Sequence, residues 1–489
     1  ALAVAAVLAG SIQFISGEAY LKAINALRLM VQHGETWKGT LAKFKEQIEA
    51  TWYLPTNFDG IYAWLATKQM EPRLANVSVK QLGMNPALDF AMIGAGGLMG
   101  IKSASNMLLG AVLNFAVIVP IMISLGELKP KSGSVEAGTA VFGRAYILNN
   151  WALWWGIVIM VTAAMVSLFG KPQVFVEAFR GLLGRKKTTT EEDVLKDIEL
   201  PLWISWVGIP VIGAVGVWMA HDWFGVHWIY GGIAIPMIIV LTLIAASSTA
   251  LTGITPTGSL SKIPQFTFGA LDPKHPATNL MTGVMCVEVS SNASNLLMDI
   301  KPGYMLGAKP RQQAWGHCIG IIAGALASTP LFYVLFLSGW KTGDNVQEKM
   351  VTEQFSFPSA VQWKGVSDLV TSIFGEQAGT LLTPSIITSM VIAAVVGLVF
   401  EVARLMTKNR FPLSPLAIGL GVVVPFESTL GMFTGAALFW VMTQVYKARK
   451  ESFGHRLWVD TQEPVCAGLI AGAALIGIGD TLVKVFALG

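Results

Sequence analysis

Met285-Cys286-Val287-Glu288-Val289-Ser290-Ser291-Asn292-Ala293-Ser294-Asn295-Leu296-Leu297-Met298-Asp299-Ile300-Lys301-Pro302-Gly303-Tyr304 is the stretch on which the fold turns. An apolar segment here takes on acids and amides and then meets a Gly/Pro turn. Read as a helix, it places Glu288, Asn292, Asn295 and Asp299 at spacings of four, three and four, which is one stripe at about 100° per residue. A single wet face on an apolar helix needs a partner or a cavity to receive it.

The surrounding chain sets the solvent. It has 489 residues, 53% hydrophobic and 13% charged, with mean hydropathy +0.58, against roughly 25% charged in an average soluble domain. This is the composition of a polytopic membrane protein. At about 20 apolar residues per crossing, it holds roughly ten or more transmembrane helices. The expected fold is all-α, a single transmembrane domain over 1–489 in contact with the lipid bilayer. Net charge is only +4, with the basic residues in loops between apolar runs, so a nucleic-acid partner is a poor explanation. Cys286, Cys318 and Cys466 all lie in apolar runs, so neither a disulfide framework nor a Cys/His metal spacing is implied. Ala1 already stands in a hydrophobic run, and the natural start with any targeting signal is expected to lie outside this sequence.

Along the chain, 87–100 is short and dense in glycine, as suits a buried or broken helix packed closely by neighbours. Residues 107–125 and 151–169 read as spans, the second with Trp151, Trp154 and Trp155 placed like an interface belt and preceded by Asn149 and Asn150 as caps or cavity groups. The basic stretch 180–200 reads as a cytoplasmic loop, and spans at about 202–220 and 228–250 flank an outer turn with His221, Asp222 and His227. From 251 to 276 glycines and prolines interrupt the pattern, so no regular helix is expected there. The placement of basic loops at 301–311, 404–410 and 447–456 requires this stretch to cross, making 254–275 a broken membrane segment; an ordinary loop is the alternative. Gly316, Gly320 and Gly324 form a helix-packing face beside His317, and 340–380 reads as an extracytoplasmic segment. Glu401 with Arg404 and Asp480 with Lys484 have the spacing of local ion pairs, while Glu427 reads as either a loop acid or a cavity acid.

The run Asp299-Ile300-Lys301-Pro302-Gly303-Tyr304-Met305-Leu306-Gly307-Ala308-Lys309-Pro310-Arg311-Gln312-Gln313 resembles the Asp-x-Lys-Thr-Gly-Tyr-x-x-Gly-Ala-Thr-Pro motif of the oligopeptide transporter (OPT) family, which includes the yellow-stripe-like carriers of metal chelates. Weaker similarities lie at 105–110, 255–258 and 411–421. Pro302 and Lys309 stand where the family motif has threonine, a departure that bears on substrate more than on fold. The resemblance covers about 82–489. It implies an all-helical carrier with internal repeats that moves peptides or peptide-like metal chelates with protons; the expected location is the inner membrane if the protein is bacterial, with a second copy of the chain as a candidate partner in a homo-oligomer.

Beside that resemblance, the residues suggest a mechanism. Thr255, Thr257, Gly258, Ser291, Asn292 and Asn295 are the expected substrate-binding groups, since amides and hydroxyls can replace the water around a zwitterionic peptide. Glu288, with His317, is the expected proton-coupling group, because a carboxylate in an apolar span is costly unless reversibly neutralised. Asp299, Lys301, Gly303 and Tyr304 are expected to shape the cytoplasmic turn. No cofactor, metal or catalytic residue is expected, the energy source being the proton gradient. A channel shares the polar stripe and remains the alternative, whereas an intramembrane enzyme lacks any HExxH or GxSxG constellation.

Overall fold

The computed structural model describes residues 1–130, 142–170, 200–252, 260–337, 340–346, 350, 358–374, 383–408 and 410–488. Thr255, Thr257 and Gly258 lie outside the described residues, as does nearly all of the basic stretch 180–200. The principal helices are α1 (Leu2–Ser16), α2 (Glu18–His33), α3 (Phe90–Met99), α4 (Ile101–Val112), α5 (Leu153–Phe169), α6 (Leu202–Phe224), α7 (Trp228–Thr252) and α8 (Lys262–Leu271). They continue as α9 (Pro276–Met305), α10 (Pro310–Phe336), α11 (Pro358–Phe374), α12 (Pro384–Met406), α13 (Pro415–Val423), α14 (Phe426–Tyr446) and α15 (Gln462–Val483). The sheet content among described residues is one ribbon, Arg73–Leu74 against Val77–Ser78. The fold is therefore all-α, and seven helices among the described residues are long and apolar enough to cross a membrane.

Two compact units divide the chain, one formed by 1–156, 329–358 and 412–489 and the other by 157–328 and 359–411. The first unit is built on glycine. A Cβ on Gly96 would strike the carbonyl oxygen of Met432, and one on Gly435 that of Ile93; Gly110 meets Ile418 and Gly421 meets Met107 in the same way. Each step forward on α3–α4 is thus matched by one step back on α13–α14, an antiparallel register that persists across two breaks. One break is at Gly100, with φ +84°, and the other at Val424–Pro425 between α13 and α14. The glycine-dense 87–100 stretch is a short helix, buried along the face of Ile93, Gly94, Gly96 and Gly97 and ending in a break, and the 417–446 region is a second discontinuous element.

Polar side chains secure that frame. Asn106 donates to the carbonyls of Lys102 (2.7 Å) and Pro412 (2.9 Å) and accepts from the Ser414 amide (3.0 Å), fixing the entry to α13. The Arg144 guanidinium donates to the Val423 carbonyl, one of the unpaired acceptors at the end of α13. Glu427 lies in the first turn of α14, where a carboxylate complements the positive end of the helix dipole. The tryptophans of 151–155 form no exposed belt. All three are buried, and Trp155 donates to Asn114 Oδ1 at 3.0 Å. Asn150 bonds back to the Tyr146 carbonyl in a π-helical turn instead of capping. Asp480, expected to pair with Lys484, accepts instead from the Tyr20 amide at 2.9 Å and so caps α2, where the chain bends by 64° at Gly17.

In the second unit α7 packs on α9 through Leu241, Ile244, Ala245 and Cys286. Thr278, Thr282, Ser290 and Ser294 are buried on α9, three of them with hydroxyls bonded to carbonyls one turn back, so the surface they present is effectively apolar. A regular helix does run through part of the Gly/Pro-rich stretch: α8 tolerates Pro264 because it falls in the first turn, where its missing N–H has no helical acceptor. The expected Glu401–Arg404 pair is present at 3.2 Å. His221, at the end of α6, bonds the Val226 carbonyl and stacks on Trp228, while His227 accepts the Ile229 amide, so both histidines shape the turn.

Candidate binding cleft

Helix α9 is 30 residues long, about 45 Å at 1.5 Å per residue. It passes straight through Pro302 and Gly303 to Met305, so the turn expected at those residues falls later, at 306–309, with Gly307 at φ +92°. The turn is closed by backbone groups, the amides of Leu306 and Ala308 both donating to the Gly303 carbonyl (3.1 and 2.9 Å). Asp299 and Lys301 therefore sit on the last turns of the helix, both exposed, and among the described residues no hydrogen bond or ion pair joins them.

Between α9 and α10 of the hairpin lies an open cleft of about 460 Å³. Asn292 and Asp299 line it from α9, Gln313 and His317 from α10, and Gly316 and Gly320 leave room between them. Three of the residues singled out from sequence, Asn292, Asp299 and His317, are thus brought to one place. Gln313 joins them for a reason the motif contains: a Cβ on Gly303 would collide with its amide, so glycine there seats the Gln313 side chain against α9. Its Nε2 is buried, and among the described residues it has no hydrogen-bond partner.

The other candidates fall around this cleft. Glu288, Asn292, Asn295 and Asp299 are all exposed on one face of α9, as the spacing requires. Asn292 Nδ2 donates to the Glu288 carbonyl at 2.8 Å and approaches its carboxylate at 3.4 Å, linking Glu288 to the cleft's edge. Glu288 stands about 18 Å along α9 from Pro276, near the helix midpoint. Asn295 and half-buried Ser291 are on α9 but do not line the cleft, and Tyr304 is exposed at the helix end. Gly316, Gly320 and Gly324, expected to pack a helix, have no described atom within 4 Å of a Cβ placed on them; the first two border the cleft instead. Chemically the cleft offers a carboxylate, two amides and an imidazole, which suits a ligand carrying both an amine and peptide-type hydrogen-bonding groups.

Several known proteins are similar to the chain. The profile of the OPT oligopeptide transporter proteins matches residues 50–483. A Haemophilus influenzae protein carrying the name of an oligopeptide transporter is 23% identical over 470 residues, covering 86% of this chain and 68% of its own length. A rice (Oryza sativa subsp. japonica) protein named for metal-nicotianamine transport is 21% identical over 462 residues, at 88% of this chain and 61% of its own. A Saccharomyces cerevisiae protein named for oligopeptide transport is 23% identical over 407 residues, at 72% and 53%. The chain thus spans between about half and two thirds of the length of these relatives.

Proposed function

The chain belongs to the oligopeptide transporter family, and from that premise we propose that it is a secondary carrier moving short peptides or peptide-like metal chelates with protons by alternating access. The observation that carries this reading is the α9/α10 cleft, where Asn292, Asp299, Gln313 and His317 converge on a helix whose sequence holds the family's motif. Asp299 meets the substrate's amine, while Asn292 and Gln313 exchange hydrogen bonds with its amides. Glu288 is the proton-coupling group of this reading: it stands at mid-helix with its carboxylate 3.4 Å from the Nδ2 of Asn292, and Asn292 lines the cleft, so the acid is linked to the place where cargo would sit. Thr255, Thr257 and Gly258 remain in this reading as further substrate-contacting groups, on sequence grounds alone. As in the relatives' names, peptide and chelate are both retained as cargo.

The test is uptake into proteoliposomes with an imposed proton gradient, comparing a short peptide with an iron chelate. Saturable uptake of one of them, accelerated by inward proton flow, is expected. Glu288→Gln should abolish gradient-driven uptake and leave counterflow exchange intact. Wild-type acceleration by pH in that variant would remove Glu288 from the mechanism, and an unsaturable conductance would make the protein a channel.

A further inference from the structure

The end of the α9/α10 hairpin, where the family's motif lies, has a surface that no described element covers. Lys301 and Lys309 are exposed on either side of the turn, and among the described residues neither ammonium makes a hydrogen bond or an ion pair. Between them Met305 is 77% exposed and Leu306 88%, the highest value of any large apolar side chain described. Lipid does not account for these two. At 30 residues, about 45 Å, α9 outruns a hydrocarbon core of about 30 Å by some 15 Å, and the charges of Asp299 and Lys301 mark this as the end that projects. An exposed apolar pair flanked by two unpaired cations suits a polypeptide partner that sets acids beside apolar side chains.

The chain carries such a segment. Glu191-Glu192-Asp193-Val194-Leu195-Lys196-Asp197-Ile198-Glu199 holds five acids against one lysine, with three aliphatic side chains among them. It lies outside the described residues, but α6 begins three residues after it, at Leu202, and the packing of α6 fixes where that is. α7 and α9 start side by side, the Tyr230 hydroxyl donating to the Leu271 carbonyl (3.1 Å) five residues ahead of α9, and further along Thr242 meets Ser290 at 3.3 Å, so the two run parallel. α6 turns back on α7 at 225–227, with Gly213 against Ile235 and Gly231 against Val217, and is antiparallel to both. Gly216 packs on the Met285 methyl. From that contact, fourteen residues lead back along α6 to Leu202 and fourteen lead forward along α9 to Asp299, about 21 Å each way. The start of α6 and the end of α9 thus share one end of this unit. Residues 191–199 stand 3 to 11 positions from Leu202, a reach of about 10 to 40 Å that takes in the hairpin tip.

We propose that the α9/α10 tip is a docking surface for the chain's own acidic segment 191–199, with carboxylates on Lys301 and Lys309 and aliphatic side chains over Met305 and Leu306. Charge decides between occupants: a second copy of the tip would set the same cations against each other, and an acidic lipid headgroup would pair the ammoniums and leave Leu306 uncovered. Docking ties the start of α6 to the end of the hairpin.

Carbodiimide coupling of the purified full chain in phosphatidylcholine nanodiscs, read by mass spectrometry of the peptides, tests the contact directly. An amide joining Lys301 or Lys309 to an acid of 191–199 is expected. Its yield should fall about fivefold in about 0.5 M sodium chloride, since two exposed ion pairs shift occupancy by roughly that factor and are screened by salt. Tryptic cleavage after Lys196 is the second readout: about fivefold faster in Lys301→Glu/Lys309→Glu, and unchanged in Lys301→Arg/Lys309→Arg, which keeps the charge. Coupling of the acids to Lys186 or Lys187 alone, or coupling only between copies when isotope-labelled and unlabelled chains are mixed, would overturn the proposal. So would equal cleavage in all three proteins, or protection of Lys196 that appears only in phosphatidylglycerol nanodiscs, which would give the tip to the membrane. Uptake of peptide or chelate plays no part in these readouts, so a failure of the transport reading leaves them unchanged.

Discussion

At the scale of single residues, Gly303 shows how a motif position acts through its neighbour. The absent Cβ seats the amide of Gln313 in the cleft, so Gly303→Ala forces that side chain out of place. Overpacking of this kind costs about 1–3 kcal/mol. The loss should be largely recovered in the double variant Gly303→Ala/Gln313→Ala, because the clashing group is gone; thermal melts of the four proteins form the cycle that checks it. Asp480 is the second case. Its carboxylate caps α2, and Asp480→Ala should destabilise by about 1 kcal/mol while Asp480→Asn, which keeps an acceptor, should lose much less. Neither Gln313's seat nor Asp480's capping role was legible in the chain, because both depend on a partner outside the local helix: the i,i+4 spacing of Asp480 and Lys484 offered a ready local pairing, and the structure uses a distant amide instead.

At the scale of elements, glycines of the same residue type divide sharply by what faces them. Gly96, Gly110, Gly421 and Gly435 each face a backbone carbonyl of the opposing helix, which cannot rotate aside as a side chain can. Gly110→Ala or Gly421→Ala should therefore cost about 2–3 kcal/mol. Gly316→Ala and Gly320→Ala, with open space around them in a helix interior, should instead stabilise by about 0.5–1 kcal/mol. Melting temperatures of these four variants, measured in one detergent, decide the point. The glycine density of 87–100 revealed close packing from sequence alone; the four-residue spacing of 316–324 gave a similar signal and marked a cleft border. Spacing tells which residues share a face, and leaves open whether that face meets a helix, a cavity or lipid. For the same reason the stripe from Glu288 to Asp299 was legible, whereas the hydroxyl face of Thr282, Ser290 and Ser294 was hidden: hydroxyls that bond their own helix pack like small apolar groups.

At the scale of the whole molecule, composition was enough to assign the class, since 53% hydrophobic residues leave little choice of solvent. It could not show how the apolar surface divides between neighbours and lipid. α10 exposes Ile319, Ile322 and Leu326 along its length, and α6 exposes Trp203, Trp206 and Ile212. The three cysteines sample that division: Cys318 on α10 is exposed, and Cys286 and Cys466 are buried. A membrane-permeant maleimide should modify Cys318 in the folded protein and reach Cys286 and Cys466 only after denaturation in SDS, as mass spectrometry of the labelled peptides would show. Rapid labelling of Cys286 in the native state would mean that the α7/α9 packing is looser than described.

The cap on α2 also carries a consequence for biosynthesis. Tyr20 donates its amide to a carboxylate 460 residues downstream, and Asn106 waits likewise for Pro412 and Ser414, more than 300 residues on. At about 5–20 residues per second on the ribosome, the bend at Gly17 stays unpinned for roughly 20 to 90 seconds after it emerges. During that interval α1 and α2 must be held by lipid, by an insertion factor or by each other, and a chain interrupted before Asp480 should present this bent helix pair to quality-control proteases as an early degradation signal.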